Sequence, residues 1–133
     1  MLPRLLLDTH ILIRWVTEPK KVSKEQLRAL ENSVRRTELA AISAISLLET
    51  AVLASQGRRR LKMSLNEFFE ELQGNPVFRV LRVTYEVAAE AASLSFLRDP
   101  ADCAIVATAR VHRLRLVTSE VRIIESKLVP VVA

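Results

Sequence analysis

Short apolar runs recur along the chain, and between them apolar residues return every three or four positions. RLLL (4–7), LAAI (39–42), FRVLRV (78–83), RLVT (115–118) and LVPVV (128–132) read as five strands. Only FRVLRV alternates apolar with polar residues. The other runs have the continuous character of strands covered on both faces, as in parallel sheets. Helical periods fill the gaps. HILIRWV follows Asp8-Thr9, and KEQLRALENSVRR puts Leu27, Leu30 and Val34 on one face. SLNEFFEELQ opens with a capping box, Ser64 and Glu67, ahead of Phe68, Phe69 and Leu72. SLLETAVLASQG ends on Gly57, the residue type favoured just past a helix C-terminus. YEVAAEAASLSFL follows the third strand, and PADCAIVATARVH follows Asp99 with proline at the first helical position. Strands alternating with helices predict an α/β fold: three α/β/α layers around a central, mostly parallel five-stranded sheet.

In such sheets the binding crevice lies beyond the carboxyl ends of the strands, where the next helices begin. Asp8 follows the first run, Glu49 the second, Asp99 and Asp102 open a later helix, and Glu120 follows the fourth run. Each acid has a structural explanation. Asp8-Thr9 can cap a helix, Ser46 and Glu49 have the spacing of a capping box, and Asp99-Pro100-Ala101-Asp102 reads as cap, proline and first-turn acid. Glu120 near a helix start would be favoured by the helix dipole. Gathered at one edge, however, the same carboxylates repel one another unless a cation neutralises them. Mg2+ or Mn2+, taking oxygen ligands from a few carboxylates, waters and a phosphate, is the natural counter-charge. No zinc-like Cys/His spacing and no phosphate-cradling glycine loop competes with that reading. His10, two residues after Asp8, is placed to reach the crevice, whereas His112 reads as a surface or capping residue.

Composition sharpens the chemistry. The chain has 133 residues, half of them apolar and only two of them glycine, so residues 1–133 are read as one domain. The longest uncharged run, LAAISAISLL, falls well short of the roughly 20 residues of a membrane span. Asp8 interrupts the N-terminal apolar run before it reaches the roughly 7–15 residues of a signal-peptide core, which points to the cytoplasm. Cys103 stands alone, excluding an internal disulfide, and is expected to be a small buried hydrophobe. Twenty Lys and Arg against fifteen Asp and Glu give +5, which favours a polyanionic partner. The densest basic cluster is Arg58, Arg59 and Arg60 after Gly57. Acids holding a divalent ion on a basic domain suggest hydrolysis of a phosphodiester.

The residues at these positions resemble a known family, the PIN-domain ribonucleases, and within it the VapC-like toxins of prokaryotic toxin–antitoxin pairs. LLLDTHILIRW is similar to the family's opening strand and first acid. ISAISLLETAVL is similar to its second block, and RDPADCAIVATARVHRLRLVTSE to its third block and the strand leading to the fourth acid. The resemblance implies a small Mg2+- or Mn2+-dependent endoribonuclease, a homodimer neutralised by a VapB-like antitoxin. Position by position, Asp8, Glu49 and Asp102 match the three core acids, with Asp8 and Asp102 as direct ligands. Glu49 is matched as a ligand through water or as an orienter of water, and Glu120 as an auxiliary ligand. Asp99 and Thr118 take supporting places around them. Glu120 stands where aspartate is more usual, and its extra methylene moves the carboxylate by more than an ångström. The Gly57–Arg60 turn joins the Glu49 helix to the Phe68/Phe69 helix in a region similar to a helical clip that engages antitoxin, which would expose Leu53, Leu61, Phe68 or Phe69; the alternative is that these residues pack internally.

The substituted Glu120 also motivates a second reading, a catalytically weak or inactive PIN-like module that binds RNA or a partner protein. A receiver domain would need an aspartate ending the middle strand, and FRVLRVTYE has none. A phosphatase with aspartates two apart would need an acid at position 10, where His10 stands.

Overall fold

The computed structural model describes residues 3–133. Five strands, β1 (Leu5–Leu7), β2 (Ala40–Ser43), β3 (Phe78–Leu81), β4 (Arg115–Val117) and β5 (Val131–Val132), form one sheet in the order β3-β2-β1-β4-β5. Every pairing is parallel, so the sheet is parallel throughout rather than mostly so. The helices are α1 (Thr9–Thr17), α2 (Lys24–Arg35), α3 (Ala44–Ser55), α4 (Leu65–Gly74), α5 (Tyr85–Ala92), α6 (Pro100–His112) and α7 (Val121–Ser126).

The continuous apolar runs are explained by two cores. Successive strand side chains point to opposite faces. Leu5, Leu7, Ile42 and Val117 therefore pack on one side with Ile11, Leu12, Leu30 and Phe68. Leu6, Ala41 and Leu116 pack on the other with Val87, Ile105, Val106 and Ile123. β3, at a sheet edge, has no fully buried residue, and its Arg79 and Val80 are exposed. Cys103 is buried, and its Sγ–H donates to the carbonyl of Leu94 at 3.2 Å.

Several helix ends match their sequence signals. The Ser64–Glu67 capping box forms with both bonds at 3.1 Å. Gly57 lies just past α3 at φ +67°, a left-handed conformation that costs glycine no side-chain clash. α6 runs Pro100–His112 with Asp99 as its cap. The capping box proposed for Ser46 and Glu49 does not form. Ser43 is the cap of α3, its hydroxyl accepting from the Ile45 amide at 3.2 Å, and the helix starts at Ala44. The chain passes from β2 directly into α3, so the earlier serine takes the cap and Ser46 is drawn inside the first turn. The exposure required of Leu53, Leu61 and Phe68 is also absent: all three are buried, and Phe69 packs half-buried against the same core. Among the described residues, no helix is long and apolar enough to cross a membrane.

The chain leaves β1 toward β2 and β3 on one side, then crosses to β4 and β5 on the other. The reversal opens a crevice beyond the carboxyl ends of β1 and β4, with Asp8 and Thr118 at its floor.

Candidate acidic site at the carboxyl edge of the sheet

Asp8 is the most constrained of the acids. It follows β1, caps α1 and is only 5% exposed. One carboxylate oxygen accepts the Thr9 amide at 2.8 Å, and the other accepts the Thr118 hydroxyl at 2.7 Å. Those bonds and the nearby charge of His10 favour ionisation, but burial outweighs them and raises the carboxyl above the ordinary aspartate range, with Glu120 adding to the rise.

Asp102 faces into the same crevice from the first turn of α6. Its carboxyl is pushed up to about 7, first by burial and then by the charges of Asp8, Asp99, Glu120 and Glu49. Acids from four separate segments of chain thus act on one carboxyl. Asp99 is exposed and bound to its capping role, accepting the Ala101 amide at 2.9 Å. Glu120 occupies the cap position of α7, but its side chain caps nothing and lies exposed. Its backbone amide donates to the Thr118 hydroxyl at 3.0 Å, so Thr118 joins Asp8 to the start of α7. Glu49 is half-buried, one helical turn beyond Ser46.

In the sequence Thr9 and Ser46 read only as helix-cap candidates. Both are fully buried, and the Thr9 hydroxyl donates to the Ser46 hydroxyl at 2.9 Å. The bond ties the first turn of α1 to that of α3 and sets Asp8 and Glu49 in register. The visible signal was a hydroxyl residue beside each acid block, but only the sheet order brings the two together.

His10 is exposed beside Asp8. Arg58, Arg59 and Arg60 do not join the acids; they follow the far end of α3 from Glu49. Arg59 lines a groove of about 1030 Å³ with Glu18, Lys21 and Lys62. Its Nε and one terminal nitrogen are enclosed with no acceptor among the described residues, and burial lowers its guanidinium below the ordinary range.

The donor set in the crevice is oxygen, suited to a hard cation. Among the described residues no three acid, histidine or cysteine side chains already close into a cage. A crowded but open group of carboxylates fits a partly hydrated ion held directly by one or two of them.

The PIN domain family profile matches residues 5–126. The chain belongs to the PIN-domain family. It is 39% identical over 120 residues to Ribonuclease VapC22 of Mycobacterium tuberculosis, covering 89% of this chain and 88% of that protein. Among solved structures it is similar to VapBC2 from Rickettsia felis bound to a promoter DNA fragment, at TM-score 0.68 and 14% identity, covering 98% and 97% of the two chains. FitAcB from Neisseria gonorrhoeae is similar at TM-score 0.64 and 26% identity, covering 97% and 96%. A toxin–antitoxin complex from Klebsiella pneumoniae is similar at TM-score 0.59 and 26% identity, covering 87% and 86%. The α/β/α PIN fold expected from the sequence is the fold observed, and its crevice carries the acids of all three resembling blocks.

Proposed function

We propose that this protein is a divalent-metal-dependent endoribonuclease and the toxin of a VapBC-like pair. The observation that carries the reading is Asp102, whose carboxyl is crowded by four other acids at the one edge of the sheet where an α/β fold binds ligands. Such crowding opposes folding unless a cation relieves it, and the likeness to a named ribonuclease over nearly the whole chain supports the chemistry.

Asp8 and Asp102 would hold Mg2+ or Mn2+ directly, with Glu120 as an auxiliary ligand. Bound there, the ion supplies positive charge at the scissile phosphate and acidifies water. Asp8 is kept in one orientation by Thr9 and Thr118, which leaves its remaining lone pairs directed by fixed bonds. Glu49 orients the attacking water by accepting its proton in a hydrogen bond. His10, exposed beside Asp8, contacts a phosphate of the strand, and the chain's net positive charge draws the polyanion in. The partners are RNA, a VapB-like antitoxin and a second copy of the chain, acting in the cytoplasm; the likeness to a toxin–antitoxin complex from Klebsiella pneumoniae supports the antitoxin.

The test is incubation of the purified protein with total RNA, with and without Mn2+, beside Asp8→Asn. Metal-dependent cleavage lost in the variant upholds the ribonuclease. Mn2+ binding without cleavage would instead favour a binding module disabled at Glu120, whose side chain makes no hydrogen bond at its cap position.

A further inference from the structure

We infer that Gln26 is a positioning residue of the acidic site, acting through the loop after β4 on Asp8 and on the backbone that carries Glu120. The inference rests on the functional reading above. Gln26 belongs to α2, distant in sequence from every acid of the crevice, and is 1% exposed. Its Oε1 accepts the Ser23 amide at 3.1 Å, and its own amide donates to the Ser23 hydroxyl at 3.1 Å, closing a capping box.

A glutamate would serve that box equally well. The other half of the carboxamide could not be replaced so simply. Nε2 donates to the Thr118 carbonyl at 3.1 Å, the Ser119 hydroxyl at 3.1 Å and the Val132 carbonyl at 3.3 Å. Two N–H groups are shared among three oxygens, and a carboxylate would be repelled by the two carbonyls among them. The chain of bonds then continues: the Thr118 hydroxyl donates to Asp8 and accepts from the Glu120 amide. Gln26 thus fixes the peptide whose side chain sets the Asp8 carboxylate. Removing the carboxamide leaves a buried carbonyl without its donor and lets the Thr118–Glu120 segment shift.

Three variants separate positioning from helix capping. Gln26→Met removes both halves of the carboxamide. Gln26→Glu keeps the capping acceptor, loses the donors and sets a buried charge against the Thr118 and Val132 carbonyls. Ser23→Ala weakens the same cap while leaving the carboxamide in place. Cleavage of a labelled single-stranded RNA oligonucleotide with Mn2+ is followed well below each melting temperature, together with amide hydrogen exchange at Glu120 in the metal-free protein. Expected for both Gln26 variants are a kcat lower by about tenfold or more with KM little changed, and faster Glu120 exchange. Ser23→Ala is expected to lower Tm while keeping kcat and Glu120 exchange near wild type. Gln26→Glu matching Ser23→Ala in both readouts would overturn the inference. Absence of metal-dependent cleavage in the wild type would defeat the ribonuclease reading instead; Glu120 exchange then decides, acceleration in Gln26→Glu upholding the positioning role and no acceleration overturning it.

Discussion

Two buried acids lie at opposite edges of the same sheet and are treated in opposite ways. Glu38, just before β2, is 7% exposed and meets the Arg4 guanidinium at 3.1 Å and that of Arg36 at 4.0 Å. Its charge is balanced by cations that reach in from solvent. Asp8, just after β1, is as deeply buried but receives an amide, a hydroxyl and the nearby charge of exposed His10 rather than a paired guanidinium, and burial, with Glu120 adding to it, still raises its carboxyl. A buried acid with its own arginines needs no further explanation. A buried acid facing other acids, at the ligand-binding edge of the fold, is left for an external cation to balance.

The sharpest break between the edges is expected in catalysis. Asp8→Asn should lower RNA cleavage by about 100-fold or more, since one misplaced ligand at a reacting centre costs that much. Circular dichroism should show the fold retained, because the asparagine carbonyl still accepts the Thr9 amide. Glu38→Ala at the other edge should leave cleavage per folded molecule unchanged.

The next effect is on stability. In the metal-free chain Asp102 titrates near 7, against an ordinary value of 3.8. The folded state therefore binds this proton more tightly than the unfolded state. Its stabilising contribution is complete below about pH 4 and is lost as pH rises through about 7. Asp102→Asn should remove that slope, and at pH 8 thermal melts should place its Tm about 3–6 °C above wild type. Glu38→Ala should shift Tm the other way by about 2–4 °C, a modest change because its arginines are themselves largely solvated.

The smallest effect is expected at Asp99. Its carboxylate is exposed and caps α6, so Asp99→Ala should cost about 1 kcal/mol in denaturant unfolding. Cleavage should fall by less than about tenfold, because this acid acts on Asp102 only through its charge.

Much of this arrangement was legible in the sequence because its signals are local. Strand runs, the Ser64–Glu67 box, Gly57 and the Asp99-Pro100 start of α6 each depend on neighbouring residues. The ordered series of acids after successive strands was legible for the same reason. What escaped depends on contacts between distant segments. Ser46 has the capping-box spacing to Glu49, but the direct entry from β2 into α3 gives the cap to Ser43. For Leu53, Leu61 and Phe68 the sequence left exposure to a partner and internal packing both open, and all three are buried. Thr9, Ser46 and Gln26 carry no acid or metal-ligand signature, and their hydrogen bonds reach 37 residues or more along the chain.

The most direct test is calorimetric titration of Mn2+ into the metal-free protein at pH 7 in two buffers of different ionisation enthalpy, with Asp102→Asn beside it. An ion that binds a carboxyl pushed up to about 7 displaces part of its proton, so binding at pH 7 releases protons. Binding with buffer-dependent heat in the wild type, lost or strongly weakened in Asp102→Asn, is the expected result. Equal binding by both proteins, or none by either, would contradict the assignment of the acidic crevice as a metal site.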